Sequence, residues 1–318
     1  MYRGRSLAAV VPAYNEEMLI GITLESIPEY VDMVIVVNDG STDSTESKIR
    51  EIMESDPRIE LINKENGGVG SAIVEGYKAG LIKGADISVV MAGDNQMDPE
   101  CLPSLLDPIV EGEADYTKGN RLTDGKAIKG MSAWRYFGNS LLTGMTKLSS
   151  GLWHIGDPQN GYTAIDNRVF EVLDPDEIFP WYGYCNDILT RLNMYGFRVK
   201  DVRIPSRYGD EVSTIKYPEY MYKLSRLLLI QLMMRITYRQ REKGVLTFVS
   251  VCLLSMFACY IGILLALDYR VWSYVPIEFV LFVLYGAFLI VLVLFSFYML
   301  LLVLGTLFLD FRAPKIEM

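Results

Sequence analysis

The fold is decided by one stretch of the sequence, Ile87-Ser88-Val89-Val90-Met91-Ala92-Gly93-Asp94-Asn95-Gln96-Met97-Asp98-Pro99. Its first half is apolar and rich in β-branched residues, which predicts a buried strand. The strand pattern breaks at Gly93, and the carboxylate of Asp94 follows at once. Ligands of open α/β sheets bind at the carboxyl ends of the strands. We therefore expect Asp94 to lie in a binding site.

The polar residues after this strand are suited to a divalent cation. Asp94, Gln96 and Asp98 offer hard oxygen donors, which Mg²⁺ or Mn²⁺ accepts, with further ligands supplied by substrate phosphates. Metal binding is the favoured interpretation of Asp94, and turn formation or helix capping is its alternative. For Asp98 the preference is reversed, because it stands directly before Pro99 and fits a helix N-cap.

Short apolar strands alternate with helical segments along the first half of the chain. Strands are predicted at residues 6–12, 33–37, 59–62 and 87–91, and further strand-like stretches at 116–121, 162–165 and 197–204. This alternation predicts an α/β fold with a mainly parallel sheet. Parallel strands end at the same edge, so the polar groups that follow three strands should converge there: Tyr14/Asn15/Glu16, Asn38/Asp39 and Asp94/Gln96. The glycine-rich stretch 66–70 is interpreted as a tight turn that either is purely structural or lets a nucleotide approach the backbone.

Composition narrows the classes of protein. The 318 residues carry a formal net charge of −9, which argues against a nucleic-acid partner. The 4 cysteines form no C-x-x-C pair, and there is only 1 histidine. Neither a disulfide framework nor a zinc site is therefore expected.

Two long segments near the C-terminus contain no charged residue, Gly244–Leu267 and Phe279–Leu309. Each exceeds the ~20 apolar residues that cross a bilayer core as a helix. Basic residues flank both outer ends of the pair, so the positive-inside rule places both termini in the cytoplasm. We expect an integral membrane protein with a cytoplasmic catalytic domain at 1–213, a two-helix transmembrane hairpin at 244–309 and a cytoplasmic tail at 310–318. Such anchors often pack with copies of themselves, so a homo-oligomer stays open.

Residues 214–243 connect the domain to the hairpin and are amphipathic and basic. This pattern predicts interfacial helices, either two or one with a bend, lying on the membrane lipid. Their apolar side chains would then enter the lipid boundary, namely Leu227, Leu228, Ile230, Met233, Met234 and the tyrosines. The alternative is a helix that packs on the core of the domain.

Three motifs resemble those of family 2 glycosyltransferases with the GT-A (Rossmann-like) fold. They are Val11-Pro-Ala-Tyr-Asn-Glu16, Asn38-Asp-Gly-Ser-Thr-Asp43 and Asp94-Asn-Gln96. Together with the predicted interfacial helices and two membrane spans, these motifs resemble those of the polyprenyl-phosphate (dolichyl-phosphate) glycosyltransferases. The resemblance implies transfer of a hexose from a nucleotide-sugar, of the GDP-mannose or UDP-glucose type, to a polyprenyl or dolichyl phosphate, with inversion.

The resemblance also implies roles for individual residues. Donor binding would fall to Pro12, Tyr14, Glu16, Asp39, Asp94 and Gln96, with Asp94 and Gln96 holding Mg²⁺ or Mn²⁺ on the diphosphate. This chain has Ala92 where the family usually has the first Asp of an Asp-x-Asp motif, which leaves Asp94 and Gln96 as the expected ligand pair.

The chemistry of the acceptor decides which other residues matter. A hydroxyl acceptor needs a general base, whereas a lipid phosphate is already anionic and needs positioning and charge balance. Basic residues are therefore candidates for the acceptor phosphate: Lys118, Arg121, Arg135 and Arg207. Arg121 matches the family's phosphate-binding arginines best, so Asp94 and Arg121 are the expected catalytic pair.

Two other functions remain open from the sequence. A membrane glycosyltransferase with a hydroxyl acceptor would use Asp157 or Asp187 as its base, but the Gln-x-x-Arg-Trp motif of processive synthases is absent. A non-catalytic nucleotide-sugar-binding scaffold is supported only by the missing first Asp.

Overall fold

The computed structural model describes residues 1–122, 133–205 and 217–243. The chain divides into two compact units, one formed by Met1–Leu232 with Lys315–Met318 and the other by Met233–Pro314. The sheet and the candidate site both lie in the first unit.

A seven-stranded sheet in the order β3-β2-β1-β4-β6-β5-β7 forms the centre of the first unit. Strand β1 pairs in parallel with both β2 and β4, and all seven of its residues are buried. Successive strands are added on one side of β1 up to β3 and on its other side from β4 onwards. Open α/β sheets bind ligands at such a change of direction, which here lies between β1 and β4. The prediction of a mainly parallel α/β sheet is confirmed. Its strands are β1 Leu7–Ala13, β2 Met33–Asp39, β3 Ile59–Lys64, β4 Ile87–Val90, β5 Tyr116–Asn120, β6 Thr163–Asp166 and β7 Val199–Arg203.

Strand β6 runs against the direction of its neighbours, which the sequence did not predict. It pairs antiparallel with both β4 and β5, while β5 pairs in parallel with β7. Because β6 is reversed, the turn that enters it lies at the edge where β1, β2, β4 and β5 end. We call this the carboxyl edge, and the opposite one the amino edge.

Helices cover both faces of the sheet. Their bounds are α1 Ile20–Ser26, α2 Thr45–Met53, α3 Val69–Ile82, α4 Leu102–Val110, α5 Ala133–Ser150, α6 Asn167–Val172, α7 Tyr184–Met194 and α8 Tyr217–Lys243, with short 3₁₀ turns at Pro99–Cys101 and Pro175–Glu177. Alternate residues of β1 serve two cores, because successive side chains of a strand point to opposite faces. Leu7 and Val11 pack with α1 and α4, and Val10 packs with α3 and α7. The predicted cap is also confirmed, since Asp98 accepts a hydrogen bond from Glu100 N at 3.1 Å.

Helix α8 occupies the region predicted to be interfacial. Leu224 and Leu228 are buried with Leu142 of α5, and Leu227 packs beside them. The prediction that Leu228 enters lipid is therefore wrong, because this face packs on the domain, as the alternative proposed. Tyr222, Leu229 and Ile230 are exposed, so the same helix also presents an apolar outer face.

Within residues 1–122, 133–205 and 217–243, no helix is long and apolar enough to cross a membrane. The predicted spans at 244–309 and the tail at 310–318 lie outside these ranges.

Candidate active site

The loops that follow β1 and β2 are joined by hydrogen bonds between their backbones and polar side chains. Glu16 N donates to Thr45 Oγ1 at 2.8 Å, and Asn15 N donates to Ser41 Oγ at 3.0 Å. In return, Asn15 Oδ1 accepts from Thr42 N at 2.9 Å. Asn15 adopts a positive φ of 55°, which Asn tolerates better than most residues. The predicted convergence of the Tyr14–Glu16 loop with the end of β2 is therefore present.

Asp39, at the end of β2, is buried and held by the glycine-rich turn. Its carboxylate accepts hydrogen bonds from Gly67 N at 2.9 Å and Gly68 N at 2.8 Å. Lys64 Nζ, at the end of β3, donates to the same carboxylate at 2.7 Å. Asp39 thus anchors the turn that starts α3, and this structural task accompanies the donor-binding role expected of it.

Gly68 is required here by its own backbone and by a close neighbour. Its φ of 93° and ψ of 159° lie in a region that is essentially restricted to glycine. A Cβ atom at this position would stand 2.6 Å from the Trp181 ring and 2.7 Å from the Pro180 carbonyl oxygen. In the structure, the close approach that the turn permits is therefore made by the chain's own segment 179–184.

This segment brings two aromatic residues to the site that the sequence reasoning missed. Trp181 and Tyr182 are both about half exposed. Burial, followed by the negative charges of Glu16 and Asp94, raises the pKa of the Tyr182 hydroxyl. Tyr182 therefore lies close enough to both carboxylates to respond to them. The only sequence signal was an unexplained aromatic pair before a predicted helix.

Asp94 lies just beyond β4 in a tight turn. Its Oδ1 accepts a hydrogen bond from Gln96 N at 3.1 Å, and the intervening Asn95 has a positive φ of 55°. Burial raises the pKa of the Asp94 carboxyl, against the opposing effects of that N–H group and of the Arg121 charge. In the described part of the chain, no salt bridge neutralises Asp94. A desolvated carboxylate supported only by backbone donors is suited to receive a cation.

Pro12 is placed differently from its predicted role. It is buried inside β1, and its carbonyl oxygen accepts a hydrogen bond from Gly93 N at 3.1 Å. This contact ties the end of β1 to the turn that carries Asp94. The burial of Pro12 argues against direct contact between its side chain and a nucleoside. Its hydrogen bond with Gly93 instead helps to position Asp94.

Arg121 follows β5 and pairs with a carboxylate from the turn that enters β6. Arg121 Nε donates to Asp157 Oδ2 at 2.8 Å, Nη2 donates to Oδ1 at 3.4 Å, and the backbone N–H donates to Oδ2 at 3.4 Å. The charge of Arg121 also acts on the pKa of Asp94. The two residues expected to be catalytic therefore lie close enough to interact electrostatically.

The other predicted acceptor residues fare differently. Lys118 is fully buried, and its ammonium group donates to the Asn160 carbonyl oxygen. This burial argues against the predicted contact between Lys118 and an acceptor phosphate. Lys118 instead holds the turn between Asp157 and β6. Arg207 and the side chain of Arg135 lie outside the described residues.

Both candidate bases for a hydroxyl acceptor are already engaged. Asp157 is paired with Arg121, as described above. Asp187 is buried and accepts hydrogen bonds from Phe179 N at 2.9 Å, Arg191 Nε at 3.3 Å and Gln231 Nε2 at 3.3 Å. Both carboxylates are also almost fully buried, which argues against direct contact with a substrate hydroxyl.

Metal binding at this edge depends on few protein groups. Across the described ranges, no three His, Cys, Asp or Glu side chains gather closely enough to hold a metal ion. The assignment of Asp94 and Gln96 as metal ligands therefore stays a prediction; Mg²⁺ and Mn²⁺ commonly bind one or two carboxylates and complete their shell with water and substrate phosphates.

Comparison with known proteins identifies the family of the chain. The sequence model of glycosyl transferase family 2 matches residues 8–174. The UDP-N-acetylglucosamine–dolichyl-phosphate N-acetylglucosaminyltransferase of Methanococcus voltae is 27% identical over 215 residues, which cover 63% of this chain and 85% of that protein. The polyprenol monophosphomannose synthase of Mycolicibacterium smegmatis is 29% identical over 203 residues, covering 61% of this chain and 75% of that protein.

Solved structures share the fold. Glucosyl-3-phosphoglycerate synthase of Mycobacterium tuberculosis, in complex with Mn²⁺, UDP-glucose and phosphoglyceric acid, superposes with a TM-score of 0.54 at 23% identity. The match covers 73% of this chain and 80% of that protein. At this identity the likeness is one of fold, a GT-A-like α/β arrangement with a mostly parallel sheet.

Proposed function

The chain belongs to glycosyl transferase family 2, and from this premise we propose that it transfers a hexose from a nucleotide-sugar to a polyprenyl or dolichyl phosphate. The proposal rests on the presence of a partly buried carboxylate and an arginine at the carboxyl edge. Asp94 is a desolvated carboxylate suited to a cation, Arg121 is a cation suited to a phosphate, and the charge of one acts on the other.

The donor would bind where the ends of β1, β2 and β4 meet. Tyr14, Glu16 and Asp39 would surround the nucleoside, and Asp94 with Gln96 would hold Mg²⁺ or Mn²⁺ on the diphosphate. A divalent ion there would neutralise the charge that develops on the leaving diphosphate.

An anionic acceptor is favoured because, among the described residues, the site offers a cation and both candidate bases are buried. A guanidinium has five N–H donors in a planar arrangement that matches phosphate oxygens, and the described side-chain contacts between Arg121 and Asp157 use its Nε and Nη2 groups. A phosphate oxygen attacks without losing a proton, so no general base is required. These contacts favour a phosphate over a hydroxyl acceptor.

The reaction would be one in-line displacement. An oxygen of the acceptor phosphate forms a bond to the anomeric carbon as the bond from that carbon to the nucleoside diphosphate breaks. The bonding electrons leave with the diphosphate, and the configuration at the anomeric carbon inverts. Arg121 would hold the attacking phosphate in line with the bond that breaks. This orientation would lower the entropic cost of reaching the transition state.

The nature of the acceptor is supported by the relatives. Proteins named for dolichyl phosphate and for polyprenol monophosphomannose align with about two thirds of this chain. A polyprenyl phosphate is a membrane lipid, so we also propose that residues 244–309 anchor the enzyme and that its catalytic domain and both termini face the cytoplasm.

The test is a donor screen with the full-length chain purified in detergent. UDP-glucose, GDP-mannose and UDP-N-acetylglucosamine are each offered with polyprenyl phosphate and with polyprenol, in the presence of Mn²⁺, Mg²⁺ or EDTA. We expect one donor to give a lipid-linked sugar only with the phosphate acceptor, with a metal requirement and with release of the sugar by mild acid.

Two results would contradict the proposal. Transfer to polyprenol with an acid-stable product would identify a hydroxyl-acceptor enzyme. Binding of a nucleotide-sugar without turnover on any of these acceptors would identify a scaffold.

A further inference from the structure

Asp157 is a buried carboxylate whose described hydrogen bonds come from one residue. Only 5% of its side chain is exposed, and Arg121 donates to it from its backbone N–H, Nε and Nη2. The Arg121 side chain is 36% exposed. The pair therefore has a buried anionic half and a cationic half that reaches the surface.

The turn that carries Asp157 is held in place by hydrogen bonds with residues of β5. Lys118 donates to the carbonyl oxygen of Asn160. Asn160 Nδ2 donates to the Gly119 carbonyl oxygen at 2.8 Å, and Asn160 Oδ1 accepts from Tyr162 N at 3.1 Å. Because Lys118 and Gly119 belong to β5, the same strand that delivers Arg121 also fixes the turn that delivers Asp157.

A second arginine–aspartate pair, formed by the residues that precede β5 and β7, lies away from the candidate site and serves as a comparison. Asp115, just before β5 at the amino edge, accepts from the backbone N–H, Nε and Nη2 of Arg198 at 2.7, 3.1 and 2.7 Å. The donor set is the same as in the Arg121–Asp157 pair. The difference is that the Arg121–Asp157 pair lies at the carboxyl edge and the Arg198–Asp115 pair at the amino edge, so the two pairs offer a matched comparison.

We propose that Asp157 is a positioning residue, which fixes the orientation of the Arg121 guanidinium at the carboxyl edge so that an incoming acceptor phosphate meets an arginine already oriented. This inference rests on the proposed function of Arg121. An arginine on a loop loses rotamer freedom when it binds a ligand, and a partner that restricts it beforehand reduces that cost. The geometry also argues against Asp157 acting as a base, because only 5% of its side chain is exposed.

The experiment compares Asp157→Asn with Asp115→Asn in the full-length enzyme. Initial rates are measured against polyprenyl phosphate and against the donor, and each variant's thermal unfolding is recorded. We expect Asp157→Asn to raise the KM for polyprenyl phosphate about tenfold while the KM for the donor changes less than about twofold. Asp115→Asn should lower thermal stability without changing either KM.

A double-mutant cycle then asks whether Asp157 acts through Arg121. If it does, Asp157→Asn combined with Arg121→Gln should be no worse than Arg121→Gln alone, because the arginine being positioned is already gone. If Asp157→Asn folds poorly, Asp157→Glu keeps the charge and shifts it by one methylene, and a smaller rise in the same KM is expected.

Several outcomes would overturn the inference. Additive effects in the cycle would mean that Asp157 acts independently of Arg121. A fall in kcat at unchanged KM, with loss of the acid limb of the pH–rate profile, would identify a general base. Equal effects of Asp157→Asn and Asp115→Asn would mean that both pairs are purely structural.

The failure of the proposed function is distinguishable from these results. If Arg121→Gln leaves the KM for polyprenyl phosphate unchanged, Arg121 does not bind the acceptor and the proposed function of the site fails. If Arg121→Gln raises that KM and Asp157→Asn does not, only the positioning role of Asp157 is wrong.

Discussion

Both edges of the sheet carry carboxylates that pair with basic side chains, Asp39 and Asp157 at the carboxyl edge among them, but Asp94 at the carboxyl edge has no such pair among the described residues. At the amino edge, Asp166 pairs with Arg5 and Arg168, and Asp115 pairs with Arg198. Although burial opposes it, hydrogen bonds from Arg168 lower the pKa of Asp166. At this edge, folding supplies each of these charges with a partner.

At the carboxyl edge, the central carboxylate has no such partner among the described residues. Burial raises the pKa of Asp94, and its described hydrogen bonds come from the backbone. A desolvated carboxylate without an ion-pair partner is costly to the folded state, and it is the arrangement expected where a cation and a substrate complete the site. The comparison separates carboxylates that are paired within the fold from one whose partner we propose to be a bound cation.

The largest expected effect is a loss of activity in Asp94→Asn, compared with the control Asp86→Asn at the other end of β4. Asp94→Asn should reduce sugar transfer by about 10²–10³-fold, because it removes the negative charge expected to hold the metal on the leaving diphosphate. Asp86 stands just before β4 at the amino edge and accepts from Ser6 N at 2.9 Å. Asp86→Asn should leave the transfer rate within about twofold of the wild type. Full activity of Asp94→Asn at saturating donor would break the comparison.

The next effect concerns two glycines with positive φ. Gly68 and Gly84 have φ of 93° and 78°, but a Cβ at Gly84 would meet nothing within 4 Å. Gly84→Ala should cost about 1–2 kcal/mol of unfolding free energy from the backbone alone. Gly68→Ala should cost about 3 kcal/mol, because overpacking against Trp181 and Pro180 adds to the strain. It should also weaken donor binding, since Gly68 N donates to Asp39.

Thermal unfolding and donor KM of the two variants, measured side by side, test this difference. Equal losses of stability, or an unchanged donor KM in a folded Gly68→Ala enzyme, would show that the turn is not coupled to the donor site.

These contrasts also show how far the sequence could lead. Strand positions followed from local apolar runs, and polar residues after strands predicted the carboxyl edge, because both signals are contained within a few residues. The reversed direction of β6 depends on pairing with β4 and β5, which are distant in sequence. The meeting of Arg121 and Asp157 follows from that reversal, so periodicity alone could not predict it.

Lys118 illustrates a second limit. Its charge predicted a surface position near the acceptor, since lysine is rarely fully buried. The hydrogen bond to the Asn160 carbonyl oxygen that accompanies its burial is a tertiary contact with no local signal. Trp181 and Tyr182 were overlooked for the same reason, because their proximity to Gly68 and Asp94 arises only after α3 and α7 pack on the sheet.

A smaller effect on the KM for polyprenyl phosphate is expected when Arg121 is replaced by lysine, which keeps the positive charge but changes its shape. Arg121→Lys should raise the KM for polyprenyl phosphate about tenfold, because lysine replaces a two-pronged fork with a single point charge. Arg198→Lys makes the same change in the pair at the amino edge and should leave that KM unaltered. If Arg121→Lys is fully active at low acceptor concentration, the fork geometry is unimportant and only the charge matters.

The smallest effect is a difference in the pH dependence of stability, and its sign is opposite at the two edges. The folded-state pKa of Asp94 is raised, so the folded protein binds a proton more readily than the unfolded chain, whose Asp groups titrate near ~3.9. Without metal, the free energy of unfolding should therefore fall as pH rises from ~3.9 through the raised pKa of Asp94. Asp166 has a lowered pKa, so the stability it contributes is present above ~3.9 and is lost as pH falls through its folded value.

Thermal unfolding of the full-length enzyme at neutral pH tests these signs. In EDTA, Asp94→Asn should be slightly more stable than the wild type, because the desolvated charge is gone, whereas Asp166→Asn should be less stable. Adding Mn²⁺ with the nucleoside diphosphate should stabilise the wild type and Asp166→Asn by binding the native state, but not Asp94→Asn. If Asp94→Asn were instead destabilising in EDTA, the Asp94 charge would be serving the fold, and the distinction between the two edges would disappear.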